Sequence, residues 1–222
     1  MGYQKLTLAA ENYTMLSPMF SYIGGGSKKI VDLFEEKEGF NSSDTDGEAD
    51  CIILWENGAY TTTYFFSSDA DDAWADAGDS FDETEDAFPE NLGAWFLNRG
   101  AAKVVTLAGQ VPTEDVVVDI AADNYTMLAN PFAAPLPVKS IVPEEGYAFT
   151  SSDTDGDADC IILWENGAYT TTYFFSSDAG DAWADAGDSF DETEDTILPG
   201  LGFWFYRRGA AMQIKIPVPY SL

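Results

Sequence analysis

Short runs of β-branched and aromatic residues, separated by turn-forming residues, make up most of the chain. Val, Ile, Thr, Tyr, Phe and Trp fill the runs, and Gly, Asn, Asp and Pro interrupt them. The first group packs well on a pleated strand, and the second favours turns. No segment sustains the 3.6-residue period of a helix, although residues 27–39 are the best candidate for one short helix. The pattern therefore predicts an all-β protein.

The clearest element is a hairpin that occurs twice. Residues 51–66 are CIILWENGAYTTTYFF, and residues 160–175 have the same sequence. In the first hairpin, Asn57 and Gly58 supply the two residues with positive φ that a type I′ turn needs. Because β-rich runs flank this turn on both sides, we expect each copy of the segment to form an antiparallel pair of strands.

The turn also determines which side chains face each other across the hairpin. We expect Trp55 to lie opposite Tyr60, and Ile53 to lie opposite Thr62. Both faces carry apolar side chains, which predicts a hairpin that is covered on both sides and lies centrally in its sheet. The face with Trp55 and Tyr60 has two interpretations. It is either part of the core, which we favour, or a platform that stacks on sugar rings.

The hairpins belong to a longer repeat. Residues 42–86 match residues 151–195 at a constant offset of 109, with 43 of 45 positions identical. A weaker match continues on both sides, between ENYTMLSPMF and DNYTMLANPF before the block and between LGAWFLNRGAA and LGFWFYRRGAA after it. The chain is therefore two copies of a unit of about 110 residues.

We expect two domains, residues 1–110 and residues 111–222, called the first and the second copy below. The boundary falls near residues 109–115, where Gly, Pro and charged residues separate two strand-like runs. Each copy is predicted to be an antiparallel β-sandwich or barrel unit, and the two units to be related by approximate two-fold symmetry.

Negative charge is concentrated in the repeated block. The chain has 39 acidic and 10 basic residues, a net charge of −29, and residues 42–86 and 151–195 contain 14 and 13 of the acidic ones. Neither block contains Lys or Arg. A charge of this sign excludes an electrostatic affinity for nucleic acid or for anionic membranes. Its concentration argues against a general adaptation for solubility, which would distribute acidic residues over the whole surface.

The acidic loop before each hairpin is a candidate calcium site. Its sequence is DTDGEAD in the first copy and DTDGDAD in the second. Calcium takes several oxygen ligands, and carboxylates spaced two residues apart around a glycine turn can converge on one ion. The alternative is a solvated acidic turn whose last Asp only begins the strand. The candidate ligands are Asp44, Asp46, Glu48, Asp50, Asp153, Asp155, Asp157 and Asp159.

A second acidic run follows each hairpin and contains one tryptophan, Trp74 in DDAWADAG and Trp183 in GDAWADAG. Such surroundings are typical of a surface loop. Each tryptophan is either an exposed aromatic that contacts a ligand or an anchor that holds the loop on the core, and we favour the anchor.

Several classes of catalytic site are excluded by composition. The chain contains no histidine, so Ser and Cys triads lack their histidine base, and zinc, copper or iron lack imidazole ligands. A pair of carboxylates, as glycoside hydrolases use, is available. Because such pairs arise by chance in a chain this acidic, we expect a protein that is not an enzyme.

Cys51 and Cys160 are expected to be small buried apolar residues, since a disulfide would require the copies to meet near a two-fold axis.

A larger pattern, ADCIILWENGAYTTTYFF followed by AWADAG and ILPGLGFWFYRRG, resembles a poorly characterised family of secreted, β-rich bacterial proteins with tandem units. Its units share an A-D-x-I-x-x-W-x-x-G-x-Y run, a Trp segment and G-x-G-F-W-x-x-R-R, and NYTMLANPF resembles their N-P-F element. The first copy departs from the pattern at SPMF and LGAWFLNRG. The resemblance implies an exported all-β protein and brings no known activity.

The N-terminal sequence bears on location. It lacks a basic segment followed by an apolar stretch, and its strand-like run from Tyr3 favours a mature secreted chain, whose signal peptide has been removed, over a cytosolic protein. No apolar run is long enough to span a bilayer. We therefore expect a secreted or cell-surface protein that does not insert into membranes.

These features predict a non-enzymatic tandem β-protein that binds Ca²⁺ through its acidic loops and acts as a surface or self-assembling structural protein. The first alternative is a bivalent module for carbohydrate or another ligand, with a surface glycan as its partner. The second is a glycoside hydrolase that uses a pair of carboxylates.

Overall fold

The structure is a computed structural model of the chain. It describes residues 2–17, 27–34, 39–56, 58–67, 71–77, 83–88, 90–165, 167–177, 180–187 and 191–220.

Strands joined by turns and loops make up most of what is described of both copies, and the prediction of an all-β fold is confirmed. The first copy contains β1 (Gly2–Leu8), β2 (Asn12–Leu16), β3 (Lys28–Lys29), the short helix α1 (Ile30–Leu33), β4 (Cys51–Glu56), β5 (Ala59–Phe66), β6 (Ala73–Asp76), β7 (Ala87–Phe88), β8 (Ala94–Asn98) and β9 (Lys103–Gly109). The second copy contains β10 (Val116–Ile120), β11 (Tyr125–Ala129), β12 (Leu136–Pro137), β13 (Val142–Pro143), β14 (Cys160–Glu165), β15 (Ala168–Ser177), β16 (Gly180–Asp185), β17 (Thr196–Ile197), β18 (Gly202–Tyr206) and β19 (Met212–Ile216). It also has two 3-10 turns, Val138–Ser140 and Asp155–Asp157.

The largest sheet of each copy has five antiparallel strands in the same order. The order is β2-β8-β4-β5-β6 in the first copy and β11-β18-β14-β15-β16 in the second. Smaller sheets accompany them, β1-β9 and β3-β7 in the first copy and β10-β19-β13 and β12-β17 in the second. All the sheets in the described part of the chain are open, so the closed barrel is excluded from the two predicted architectures.

The two hairpins form as predicted and supply the middle strands of these sheets. In the first hairpin Trp55 lies opposite Tyr60, and the second hairpin pairs its strands in the equivalent register. Gly58 has a φ of 81°, the left-handed conformation that the turn requires. Asn57 and Asn166 lie outside the described residues.

One face of each five-stranded sheet packs on a smaller sheet of the same copy. In the first copy, Ile52 and Leu54 of the hairpin are buried together with Leu6 of β1 and Leu107 of β9. A separate cluster of the same kind forms the core of the second copy. Burial of one such side chain contributes about 1.5–3 kcal/mol to stability. The opposite face of each sheet is left for other contacts. In the described part of the chain, no helix combines the length and apolar composition that crossing a bilayer takes.

Candidate ligand-binding clefts

The two copies contact each other through the outer faces of their five-stranded sheets. Each face contributes a buried methionine and a buried tryptophan, Met15 and Trp95 from the first copy and Met127 and Trp204 from the second. The hairpins add four partly buried side chains, Ile53, Trp55, Ile162 and Trp164. The aromatic hairpin face is thus largely covered, and what covers it is the other copy.

Four aromatic rings form a continuous ladder across this contact. Tyr13 lies 6.0 Å from Trp95, measured between ring centroids, and Trp95 lies 5.6 Å from Trp164 of the second copy. Trp164 in turn lies 4.6 Å from Tyr169. All three pairs are edge-to-face, the arrangement that the charge distribution of aromatic rings favours. The first ladder, Tyr13–Trp95–Trp164–Tyr169, therefore joins two rings from each copy.

The second ladder consists of the equivalent residues with the copies exchanged. Tyr125 lies 6.0 Å from Trp204, Trp204 lies 5.5 Å from Trp55 of the first copy, and Trp55 lies 4.6 Å from Tyr60. These pairs are again edge-to-face. The indole Nε1 of Trp55 donates a hydrogen bond of 2.9 Å to the carbonyl oxygen of Tyr125. This bond holds the ring across the contact.

Two glycines allow the copies to approach this closely. A Cβ atom at Gly93 would lie 2.7 Å from the carbonyl oxygen of Leu128, and a Cβ atom at Gly202 would lie 2.7 Å from Cγ of Met15. The backbone N–H of Gly93 also donates to the carbonyl oxygen of Met127, at 3.1 Å. A larger residue at Gly93 would therefore meet the backbone of the other copy, and one at Gly202 would displace the Met15 side chain.

A cleft opens beside each ladder. The first has a volume of about 500 Å³ and is lined by Tyr13, Ile53, Tyr60, Thr62 and Trp95 from the first copy and by Trp164 and Tyr169 from the second. The second has a volume of about 320 Å³ and is lined by the equivalent residues, Tyr125, Ile162, Tyr169, Thr171 and Trp204 from the second copy and Trp55 and Tyr60 from the first. Both volumes are in the range typical of small-ligand sites, about 300–1,000 Å³.

The clefts offer ring faces and hydroxyl groups to a ligand. Their tryptophans are buried or partly buried, whereas the four tyrosines are between 42% and 57% exposed. Burial raises the pKa of the Tyr60 hydroxyl, with a smaller contribution from Tyr169, and burial also raises the pKa of Tyr169. Both hydroxyls are therefore protonated at neutral pH and can donate hydrogen bonds. Among the described lining residues none is charged.

The structure separates the candidate calcium ligands into buried and exposed groups. Asp50 is fully buried, and its carboxylate accepts hydrogen bonds from the backbone N–H groups of Asn41, at 2.9 Å, and Arg99, at 2.6 Å. It also forms an ion pair with Lys103. A carboxylate held by two backbone donors and a cation faces the interior of the copy. Asp50 therefore does not face the loop where a calcium ion was expected.

Asp159 has the equivalent position in the second copy. It accepts hydrogen bonds from the backbone N–H groups of Thr150, at 2.9 Å, and Arg208, at 2.7 Å, and forms a buried ion pair with Arg207. The interpretation in which the last Asp of each loop begins the strand thus describes both residues. The prediction that Asp50 and Asp159 are calcium ligands is corrected, because both carboxylates already bind partners inside their copies.

The other six acidic residues, Asp44, Asp46, Glu48, Asp153, Asp155 and Asp157, are exposed on the surface. Each loop makes a turn that is closed by a backbone hydrogen bond of 3.0 Å, from Glu48 to Thr45 and from Asp157 to Thr154. Within the described residues, no group of three or more His, Cys, Asp or Glu side chains is arranged to hold a metal ion. The calcium hypothesis stays a prediction that concerns these six carboxylates.

Trp74 and Trp183 belong to strands and to the cores of their copies. They are 1% and 3% exposed, and the ring of Trp74 lies 5.0 Å from that of Phe65. The indole Nε1 of Trp183 donates to the carbonyl oxygen of Ile141 at 3.4 Å. Neither ring presents a face to solvent, so the expectation of exposed ligand aromatics at these positions is corrected, and the anchor interpretation describes them.

Cys51 and Cys160 are free and buried, as expected of small apolar residues in strands. Burial raises the pKa of each thiol from 9.0 to about 11. Both thiols are therefore protonated and unreactive at neutral pH.

Sequence reasoning did not select four of the cleft residues, Tyr13, Trp95, Tyr125 and Trp204, as candidate site residues. They lie in the weaker flanking matches, where ENYTML and DNYTML share one tyrosine and LGAWF and LGFWF share one tryptophan. A signal was present, because these aromatics and the neighbouring glycine are kept between the copies although residues around them differ. Only the contact between the copies shows what they do.

Comparison with known proteins gives no match, whether by family model, by similarity to curated proteins or by similarity to solved structures. The resemblance to a secreted tandem-unit family therefore stays a prediction.

Proposed function

We propose that the protein is a bivalent carbohydrate-binding module whose two binding sites are the clefts between its copies. The observation that carries the proposal is the pair of equivalent aromatic ladders, each built from both copies and each bordered by a cleft with exposed tyrosines. Each ladder corresponds to the other with the two copies exchanged, as expected when two equivalent units contact each other through the same surface. We include this approximate two-fold relation in the proposal.

The chemistry of the clefts favours a neutral sugar. A pyranose ring with equatorial hydroxyls has apolar C–H faces, which suit tryptophan and tyrosine rings, and a polar edge, which suits tyrosine and threonine hydroxyls. A charged ligand would find no countercharge among the described lining residues. The net charge of −29 also repels polyanions from the surface. Glucose units in β-1,4 linkage meet these requirements, and they are the ligand class that we propose.

The other predicted functions receive less support from the geometry. The described lining residues of the clefts include no carboxylate, so we propose binding and not hydrolysis. Calcium binding by the exposed acidic loops is a separate prediction, and the clefts do not depend on it. A role in binding glycans accords with the secreted or cell-surface location predicted from the sequence, which is part of the proposal.

The proposal is tested by calorimetric titration with the β-1,4-linked glucose disaccharide. Replacing Tyr13 and Tyr125 together by Ala removes one exposed ring from each cleft, and we expect the affinity to fall about tenfold. Tyr3→Ala is the matched control, because Tyr3 is 70% exposed and lines neither cleft. An unchanged affinity in the double variant, or no binding by the unaltered protein, would reject the proposal.

A further inference from the structure

Two tyrosines belong to both clefts. Tyr60 and Tyr169 line the first cleft and the second, and they are the described residues that the two linings have in common. Tyr169 ends the first ladder and Tyr60 ends the second. The two rings are also close enough for Tyr169 to influence the ionisation of Tyr60. The clefts therefore meet at this pair of exposed rings.

We propose that the two clefts form one groove, which binds a single linear, neutral glycan chain that crosses the pair Tyr60 and Tyr169. The inference rests on the proposed function and adds the size of the ligand and the number of ligands bound. Tyr60 and Tyr169 are 57% and 56% exposed, so a chain can lie over them. Their protonated hydroxyls can donate hydrogen bonds to the hydroxyls of the crossing sugar.

The linkage of the ligand follows from the same geometry. Equatorial β-1,4 linkages keep a glucose chain extended and present successive ring faces, which a row of aromatic side chains can contact. A chain that occupies both clefts loses its translational freedom only once, so the second cleft adds affinity at little further entropic cost. A short sugar that fills one cleft lacks this advantage.

The inference is tested by comparing the β-1,4-linked glucose disaccharide with the hexasaccharide in calorimetric titrations of the full chain. We expect two disaccharides per chain but one hexasaccharide, with a Kd for the hexasaccharide about 100-fold lower. Two hexasaccharides per chain, or equal Kd values for the two sugars, would overturn the single groove and leave the two-site proposal standing. Binding of neither sugar would overturn both.

A variant that weakens only the first cleft gives an independent test of the single groove. Tyr13→Ala alters the first cleft and leaves every residue of the second unchanged. We expect its first cleft to bind the disaccharide about tenfold more weakly than its second, and its affinity for the hexasaccharide to fall about tenfold, whereas Tyr3→Ala should keep both affinities. Full affinity for the hexasaccharide in Tyr13→Ala would overturn the inference. Circular dichroism should check that the variants are folded, which we expect because Tyr3 and Tyr13 are exposed at the surface.

Discussion

Asp50 and Asp159 are two acidic residues that stabilise the fold from inside. Each accepts hydrogen bonds from two backbone N–H groups and pairs with a cation, Lys103 in the first copy and Arg207 in the second. Arg207 also donates through Nε to the carbonyl oxygen of Ala210, at 2.8 Å. Removing one partner of a buried pair leaves the other charge without compensation. Replacing the last acidic residue of each loop should therefore reduce stability more than replacing its exposed neighbours.

The first prediction compares a buried with an exposed acid of the same loop. Asp50→Asn leaves Lys103 unpaired and removes a charged acceptor, so we expect the free energy of unfolding to fall by about 3–5 kcal/mol. Asp46→Asn changes an exposed side chain and should stay within about 0.5 kcal/mol of the unaltered protein. Urea titrations followed by circular dichroism measure both. Equal stability of the two variants would contradict the structural role of Asp50.

The second prediction concerns the buried thiols. The pKa of Cys51 and of Cys160 is about 11 in the folded protein, against an ordinary value of 9.0. The unfolded chain therefore loses these protons first. The stabilisation is complete below pH 9 and disappears as the pH rises through the folded pKa. We expect the free energy of unfolding to decrease between about pH 9 and pH 11, with the decrease smaller in a Cys51→Ala, Cys160→Ala double variant. Identical pH profiles would count against thiol burial as a cause.

At the scale of elements, the short segment around the glycine before the tryptophan of β8, and the equivalent segment of β18, determine how closely the copies pack. LGAWF leads into β8 and LGFWF leads into β18, and each glycine touches the other copy where a Cβ atom has no room. The following tryptophan then reaches the ladder. These two short segments position the walls of both clefts.

The third prediction is that these glycines cannot be enlarged without loss. Gly93→Ala and Gly202→Ala each place a methyl group against the other copy, and we expect a cost of about 1–3 kcal/mol in unfolding free energy together with weaker disaccharide binding. Gly47→Ala is the control, because a Cβ atom at Gly47 has nothing within 4 Å. Thermal unfolding and calorimetric titration measure the two effects. If Gly93→Ala is as stable as Gly47→Ala and binds the disaccharide as tightly, the close approach of the copies is needed for neither property.

The elements were predictable from local chemistry, whereas the clefts were not. The Asn-Gly turn and the β-branched runs determine the hairpin and its register, because both depend on neighbouring residues. The acidic residues Asp71, Asp72 and Asp76 around Trp74 predict a loop, yet Trp74 lies on the short strand β6, in which Trp74 and Ala75 are buried. Asp50 meets Lys103 from 53 positions along the chain, and no local pattern shows such a partner. The ladders depend on contacts between copies and are equally invisible in one copy alone.

At the scale of the whole molecule, charge and binding surface are separated. The acidic residues lie mainly in the repeated blocks, whereas the clefts between the copies have uncharged described linings. Repulsion among so many like charges keeps the protein soluble but opposes its compact state. The acidic loops and the aromatic clefts can therefore be tested independently.

The fourth prediction tests the calcium hypothesis against simple screening of charge. If the exposed loops bind Ca²⁺, the ion should raise the Tm more than NaCl at matched ionic strength and more than Mg²⁺. The additional shift should shrink in an Asp46→Asn, Asp155→Asn double variant. Thermal melts in the three salts distinguish the two explanations, because equal Tm shifts would mean that the stabilisation comes from charge screening alone.

The indole N–H signals of the six tryptophans in a ¹H–¹⁵N NMR spectrum test the central claim most directly. Trp55, Trp95, Trp164 and Trp204 line the clefts, whereas Trp74 and Trp183 are buried in the two cores. Single Trp→Phe variants assign the signals. On titration with the β-1,4-linked glucose hexasaccharide, the four cleft signals should shift and the two core signals should stay in place. Unchanged cleft signals, or shifts confined to Trp74 and Trp183, would contradict binding between the copies.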